Sequence, residues 1–401
     1  MKIAILGHKR IPSREGGIEV VVEELATRLV ERGHQVTVYN RGGQHISGEE
    51  FGREISIQKG IYKGIIIKTV PTIKKKGLAA ITGSFFGAVS AAFGKFDVVH
   101  FHAEGPSFMC WLPRLTGKRV IVTIHGLDHQ RGKWGRMARA YIMHGEKAAV
   151  KYANEIIVLS KDVQKYFDER YHRETVWIPN GVTKPSLTNV DVIYNQFNLV
   201  KNEYFLYLGR LVPEKGIHYL IQAFRKTKTN KKLVIAGGSS DTDEYQEKLR
   251  RMATNDNRII FTGFVQGKLL AGLYSNAYVY ILPSDLEGMP LSLLEAMSYG
   301  NCCLTSDIAE CREVVEKYAI TFKKGNVNDL AEKLQILCDN TETVSHYKED
   351  AADYILNKYS WEKTTDLTEH TYKNKGSKKR RVKGYESSNC KHKGVKKCLK
   401  N

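Results

Sequence analysis

Two glutamates eight positions apart, Glu287 and Glu295, stand in the stretch "SDLEGMPLSLLEAMSYG" at residues 284–300. Glu287 precedes a Gly-Met-Pro turn, and Glu295 sits among Leu291, Leu293, Leu294, Ala296 and Met297. An ionised carboxylate in such apolar company is costly unless something pairs with it. Pro290 suits the first helical position, where its missing N–H is no loss. The amides of Leu291 and Ser292 would then point into a cleft, with Glu287 on the loop before them and Glu295 one turn further on. A ligand with a diphosphate at this helix start could offer sugar hydroxyls to one carboxylate and ribose hydroxyls to the other. The alternative is a Glu295 paired with a buried arginine or with backbone amides.

Other residues have the chemistry to join such a site. In "LGRLVPEKG", Arg210 and Lys215 lie in a loop that leads into a helix near Gly216. Two cations beside a helix N-terminus make a diphosphate clamp; the plainer reading is a solvated charged loop, with Glu214 as a local salt-bridge partner. "GHKRIPSREGGIEVVVEELA" reads as strand end, loop, Gly16-Gly17 and helix, a place where backbone amides favour an anion, although paired glycines also serve simple turns. It is not G-x-G-x-x-G, which argues against a nicotinamide cofactor. His125, in "VTIHGLDHQ", sits at the carboxyl end of an apolar strand, where α/β domains present functional side chains; a satisfied core histidine is the alternative. His100 and His102 in "VVHFHAEGP" are similar in position with less support. Asp241-Thr242-Asp243 resembles a metal-binding Asp-x-Asp, but it follows a strand and opens a helix, so capping is expected and no metal.

These residues need elements to hold them. The first half alternates apolar strands ("KIAILG", "HQVTVYN", "GIIIKTV", "FDVVHFH", "RVIVTIHG", "EIIVLS", "ETVWIPNG") with helical stretches. The pattern restarts at "YFLYLGRL" and continues through "KKLVIAGG", "RIIFTGFV", "YVYILPS" and "CCLTSD". Such alternation predicts parallel sheets covered on both faces, hence an α/β protein of two doubly wound, Rossmann-like domains facing each other across a cleft. The boundaries expected are 1–183 for the first domain, 184–202 for a polar linker, 203–356 for the second domain, 357–371 for a C-terminal helix and 372–401 for a tail.

The chain of 401 residues is 42% hydrophobic, enough for two cores. Seven scattered cysteines, with Cys302 and Cys303 adjacent, suit a reducing cytoplasm better than a disulfide framework. "MKIAILG" is one short strand with no cleavage pattern, so no signal peptide is expected. The uncharged "GLAAITGSFFGAVSAAFG" is rich in small residues and reads as a packed helix. A surface helix dipping into a bilayer is the minor alternative, favoured by Lys74, Lys75 and Lys76 just before it. The net charge of +19 is concentrated in residues 372–401, which hold twelve Lys/Arg and one Glu. That tail should be disordered, either a solvated tail without a role or a contact for anionic lipid. A specific nucleic-acid partner is not expected, because no recognition fold accompanies the charge, and Cys390, His392 and Cys398 lack zinc spacing.

Taken in order, "GGIEVVVEELA", "VTIHGLD", "VLS" with Ser160, "IPNGV", "GRLVPEKG" and "EGMPLSLLEAM" resemble a retaining glycosyltransferase of family 4 with the GT-B fold. The resemblance covers about residues 1–370 and includes "SWEKTTDLTEHTY" as the crossing final helix; the N-terminal segment is similar to a rhamnosyltransferase-like subgroup of surface-polysaccharide (capsule) synthesis. It implies transfer of a sugar from a nucleotide-diphosphate donor to a saccharide acceptor. The basic charge and the lack of a membrane span add the expectation of a lipid-linked acceptor, met by a cytoplasmic enzyme peripheral on the inner face of the plasma membrane. Arg210 and Lys215 would bind the donor diphosphate, Glu295 the ribose and Glu287 the donor sugar. His125 would sit near the reacting carbon, and Gly17 near the phosphate or acceptor. Gly288, Leu291 and Ser292 would line the donor site, and backbone near Phe264 and Val265 would meet the base. No cofactor or metal is implied, and no dedicated base, since the leaving phosphate would take the acceptor proton. Gly288-Met289-Pro290 departs from the usual Gly-Phe-Gly, so sugar contacts there would differ. Two other readings share the architecture: a sugar-nucleotide 2-epimerase, which needs more acid/base residues than one well-placed histidine, and a non-catalytic partner of another transferase, which intact Arg210, Lys215, Glu287 and Glu295 argue against.

Overall fold

A computed structural model describes residues 1–14, 16–42, 60–73, 75, 77–132, 134–238 and 243–374. The first domain has eight strands: β1 (Lys2–Leu6), β2 (Gln35–Arg41), β3 (Ile61–Tyr62), β4 (Ile65–Val70), β5 (Val98–His102), β6 (Arg119–Ile124), β7 (Glu155–Val158) and β8 (Val176–Trp177). They lie in the order β3-β4-β2-β1-β5-β6-β7-β8. All neighbours are parallel except the short β3, which pairs antiparallel with β4 at the edge. The second domain has six: β9 (Tyr204–Leu208), β10 (Lys232–Ala236), β11 (Ile259–Gly263), β12 (Val279–Leu282), β13 (Cys302–Ser306) and β14 (Ile320–Phe322). Their order, β11-β10-β9-β12-β13-β14, is the doubly wound arrangement, all parallel. Strands such as β1 and β9 are apolar almost throughout because helices cover both faces.

Seven of the helices bear on the site and its frame: α1 (Gly17–Glu31), α2 (Leu78–Phe93), α3 (Arg136–Tyr152), α4 (Asp191–Phe197), α5 (Ile217–Lys226), α6 (Leu291–Ser298) and α7 (Trp361–Lys373). In each domain the strand order reverses between two central strands, β1/β5 and β9/β12. The loops leaving those strands open a crevice at their carboxyl ends. The loops after β1 and β9 are the glycine loop and the Arg210–Lys215 loop; β12 leads to Glu287.

Several expectations are refined. The stretch 184–202 is not wholly irregular: α4 forms there, and Ile193 is fully buried in the second domain's core. Pro290 is not the first helical residue but the cap preceding α6, with φ −76° and ψ 98°. The uncharged stretch forms α2, packed through Gly83, Ser84, Gly87, Ala88, Ala91 and Ala92, whose small side chains let it lie close. Among the described residues no helix is long and apolar enough to cross a membrane, and the described cysteines are free thiols. Asp241 and Thr242 lie outside the described residues, as do Lys74, Lys76, residues 375–401 and with them Cys390, His392 and Cys398; Asp243 is the first residue of a helix running to Ala253.

The crossing helix α7 begins at Trp361, later than the expected 357, and runs past 371 to Lys373. Tyr372, expected in the tail, is buried in the first domain's core, and its hydroxyl is 2.7 Å from His100 Nδ1. Thr364 Oγ1 donates to the Pro179 carbonyl at 2.8 Å. Ions reinforce the docking of α7 on α1. Arg32 meets Glu362 at 2.8 Å and Asp366 at 2.5 Å, and Glu369 receives Lys373, His34 at 3.2 Å and Arg32 at 3.3 Å. The hydrogen bond from Lys373, helped by His34 and Arg32, holds the Glu369 carboxyl down at about 2. A depressed folded-state value stabilises above the ordinary carboxyl range and is lost as pH falls towards about 2. Glu369→Gln is therefore expected to lower the urea midpoint at neutral pH. The gap to wild type should close between about pH 4.5 and 2; an equal midpoint at pH 7 would contradict this role.

Candidate functional site

Lys215 ends the turn Pro213–Lys215, and Gly216 follows with φ 66°. A Cβ at Gly216 would lie 1.9 Å from the Pro283 carbonyl oxygen, so only glycine lets the β9 loop press against the end of β12. That approach brings the two loops' charges together. Lys215 Nζ lies 2.5 Å from Glu287 Oε1, which also accepts from Ser284 Oγ at 2.6 Å. Glu287 is 8% exposed, so the ammonium and the hydroxyl are what make its charge tolerable.

Arg210 follows β9 on the same rim, half-buried. The Tyr207 hydroxyl donates to the Arg210 carbonyl at 2.9 Å. That phenol, pushed well above its usual value chiefly by burial, senses the charges of both Glu287 and Arg210. Tyr280 links Glu287 to Glu295 in the same way: burial raises it, and both carboxylates raise it further. Its hydroxyl donates to Ser292 Oγ at 2.8 Å. The Tyr274 hydroxyl donates to Glu295 Oε2 at 3.2 Å. Arg210, Lys215, Glu287, Ser292 and Glu295 are therefore tied to one layer of buried phenols, Tyr207, Tyr274 and Tyr280. The first amides of α6, including those of Leu291 and Ser292, have no acceptor within the helix. Val265, after β11, has a buried side chain, which leaves its backbone as the part that could meet a ligand.

Glu295 has the arginine partner that the apolar setting called for, and it comes from the other domain. Arg14 Nη1 is 3.3 Å from Glu295 Oε1, with both side chains partly exposed. Burial raises the Glu295 carboxyl, and Arg14 and Tyr274 oppose that rise. Sequence reasoning passed over Arg14, although a basic loop ahead of Gly16-Gly17 was the available signal. It also passed over Arg131, whose Nε pairs with Asp128 Oδ1 at 2.8 Å and whose Nη1 stands 3.9 Å from Glu214 of the second domain. Glu214 is thus not a local partner within its own loop.

Across the cleft, Gly17 at the start of α1 faces α6: a Cβ there would be 3.4 Å from Leu291 Cδ1. The first residues of α1 and α6, where each helix carries partial positive charge, are thus close to each other. His125 is 8% exposed, its Nε2 2.9 Å from His102 Nδ1. Burial pushes His125 down to about 4 and His100 to about 3, and His102 is well below its usual value, so the three rings are neutral at pH 7. His100 also holds Thr123 Oγ1 at 2.7 Å; His100 and His102 support His125 from within the core, outside the cleft.

At Gly288 the backbones of the two domains touch. A Cβ at Gly288 would fall 1.6 Å from the His125 carbonyl oxygen, and the neighbouring Asn180 amide donates to Met289 Sδ at 3.0 Å. Gly288→Ala is expected to hold the domains apart. Small-angle scattering should show a larger radius of gyration with an unchanged circular-dichroism spectrum. A radius equal to wild type would show that this contact does not govern closure.

Comparison with known proteins places this geometry. The family described as "Glycosyltransferase Family 4" matches residues 15–184, and "Glycosyl transferases group 1" matches residues 192–354. An uncharacterised glycosyltransferase of Methanocaldococcus jannaschii is 26% identical over 87% of this chain and 92% of its own. The capsular polysaccharide biosynthesis glycosyltransferase CapM of Staphylococcus aureus is 25% identical over 62% of this chain and 69% of its own. The crystal structure of Anabaena HepE in complex with UDP-glucose superposes with a TM-score of 0.75 at 17% identity, covering 92% of this chain and 99% of that one. Two parallel-sheet domains, charged pairs that join them and family matches to each lead to one conclusion: this chain is a glycosyltransferase of family 4, with the GT-B fold.

Proposed function

We propose that the protein is a retaining glycosyltransferase that moves a sugar, of the hexose type, from a nucleoside-diphosphate donor to a saccharide acceptor in cell-surface polysaccharide assembly. The observation that supports this reading is that the Lys215–Glu287 pair, Arg210 and Glu295 share the buried phenols Tyr207, Tyr274 and Tyr280, while Gly17 and the His125 carbonyl of the other domain press on Leu291 and Gly288; in this reading these groups border one hollow that holds the donor. HepE, which shares the fold, binds a donor of this class, and CapM serves polysaccharide synthesis.

Breaking the bond between a sugar and a nucleoside diphosphate leaves new negative charge on phosphate. Arg210 and the α6 amides would receive it, joined by Lys215 once donor binding has released that lysine from Glu287. For Lys215 to turn to phosphate, Glu287 must gain other partners, and the donor sugar's hydroxyls supply them. Ribose hydroxyls would likewise meet Glu295 and relieve Arg14. Neutral His125 beside the closing contact can donate or accept a hydrogen bond near the reacting carbon without competing for the phosphate's charge. The acceptor's proton leaves with the departing phosphate oxygen, so the chemistry needs neither a separate base nor a metal. Closure of the first domain over the second excludes water and limits hydrolysis. A lipid-linked acceptor at the inner face of the plasma membrane suits a basic chain whose α2 exposes Phe85, Phe86 and Phe93.

A panel of nucleotide sugars, offered with soluble and lipid-linked saccharides, tests this. Release of nucleoside diphosphate with one donor, and a product of the donor's own anomeric configuration, is expected. Arg210→Ala should lower kcat/KM by about 10²–10³-fold through loss of transition-state charge stabilisation. No release with any pair, or turnover unaffected by Arg210→Ala, would overturn the proposal.

A further inference from the structure

A second cluster of ionisable groups lies in the first domain, away from the donor residues. Glu104 begins a helical turn directly after β5, His129 sits in the turn Asp128–Gln130 after His125, and Glu146 lies on α3. The backbones supporting them are in contact: a Cβ on Gly145 would lie 2.0 Å from the Glu104 carbonyl oxygen. Both carboxylates are 0% exposed, yet Glu104 Oε1, Glu146 Oε2 and His129 Nδ1 have no hydrogen-bond partner. These three atoms lie within 4.8 Å of one another. None of the three residues forms a hydrogen bond or ion pair with Arg210, Lys215, Glu287 or Glu295.

We propose that Glu104, His129 and Glu146 form a site for a divalent cation of the zinc class, which fastens the Asp128–Gln130 turn to α3 and to the end of β5. The distances favour this ion. His129 Nδ1 stands 3.5 Å from Glu104 Oε1 and 3.5 Å from Glu146 Oε2. A tetrahedral ion with bonds of about 2.0–2.2 Å separates its ligands by about 3.3–3.6 Å. An octahedral magnesium site with bonds of about 2.0–2.1 Å would draw neighbouring ligands to about 2.9 Å. One imidazole with two carboxylates also suits zinc or manganese better than magnesium or calcium.

The remaining atoms behave as a supporting layer. The Tyr166 hydroxyl donates to Glu146 Oε1 at 3.0 Å, and Tyr171 donates to the same oxygen. The His129 amide donates to Glu104 Oε2 at 3.3 Å. Such contacts orient a ligand's free oxygen. Asp128, Arg139 and Arg170 act on the cluster only through space. The cation touches no transferred group. Its effect on the cleft runs through the turn, which continues into Arg131 opposite Glu214.

The test uses the full-length protein, stripped with a chelator and then titrated with Zn²⁺ alone, alongside Glu104→Gln and His129→Gln. Glu104→Gln mimics the protonated carboxyl, and His129 lies at the edge of the cluster, so the pair keeps the comparison open should one variant fail to fold. Zinc bound by cysteines or histidines elsewhere is common to all three proteins and cancels. Wild type is expected to retain one more zinc per chain after dialysis than either variant, with affinity at this site at least about tenfold higher. Its melting temperature should rise with zinc while theirs does not. Equal zinc content in all three proteins, or no zinc-dependent rise in wild type, would mean that a shared proton holds the carboxylates, and would overturn the proposal.

Discussion

Glu287 stands almost out of solvent at the mouth of β12, and Lys215 together with Ser284 makes that position tenable. The pair is held by backbone geometry: Gly216 lets the two loops meet with no room for a side chain between them. An ion pair of this kind adds little to stability, because desolvation offsets most of the attraction. In the proposed reaction each member would exchange its partner for a ligand group, phosphate for the lysine and hydroxyls for the glutamate. The Arg14–Glu295 contact repeats that arrangement across the domain boundary.

Closure follows from the same economy of space. Gly288 meets the His125 carbonyl and Gly17 faces Leu291, so the second domain's loop and the first domain's helix start each approach through a residue without a side chain. Charged pairs, Arg14 with Glu295 and Arg131 with Glu214, bridge the domains as well. α7 keeps the domains on one hinge: it leaves the second domain near Tyr359, which is buried there, and ends with Tyr372 inside the first. The histidines beneath His125 are neutral and hydrogen-bonded, giving that residue a fixed footing.

Much of this was legible in the amino-acid order. Apolar strands alternating with helices announce two parallel sheets, and a loop after a strand such as "YLGRL" falls at the carboxyl edge, so the sheet edge on which Arg210, Lys215 and Glu287 stand was readable from position. What was not legible is contact between distant segments. Arg14 lies 281 positions from Glu295, and no local pattern announces such a pairing. Glu214 looked locally paired because Lys215 adjoins it, whereas it faces Arg131. Tyr372 looked like tail because the basic run begins beside it; its burial depends on His100, far off in the chain. The Glu104–His129–Glu146 cluster escaped notice for the same reason: its members come from three elements with no common motif.

The central claim is that the hollow recognises a diphosphate through Arg210 and Lys215, with the acids reading hydroxyls around it. Calorimetric titration with a uridine series, nucleoside, monophosphate and diphosphate, tests it most directly, repeated with the other bases should uridine not bind. The account predicts diphosphate binding at least about 100-fold tighter than nucleoside, with the advantage falling by about tenfold or more in Arg210→Ala. Nucleoside and diphosphate binding with equal affinity, or a diphosphate advantage unchanged by that substitution, would contradict it.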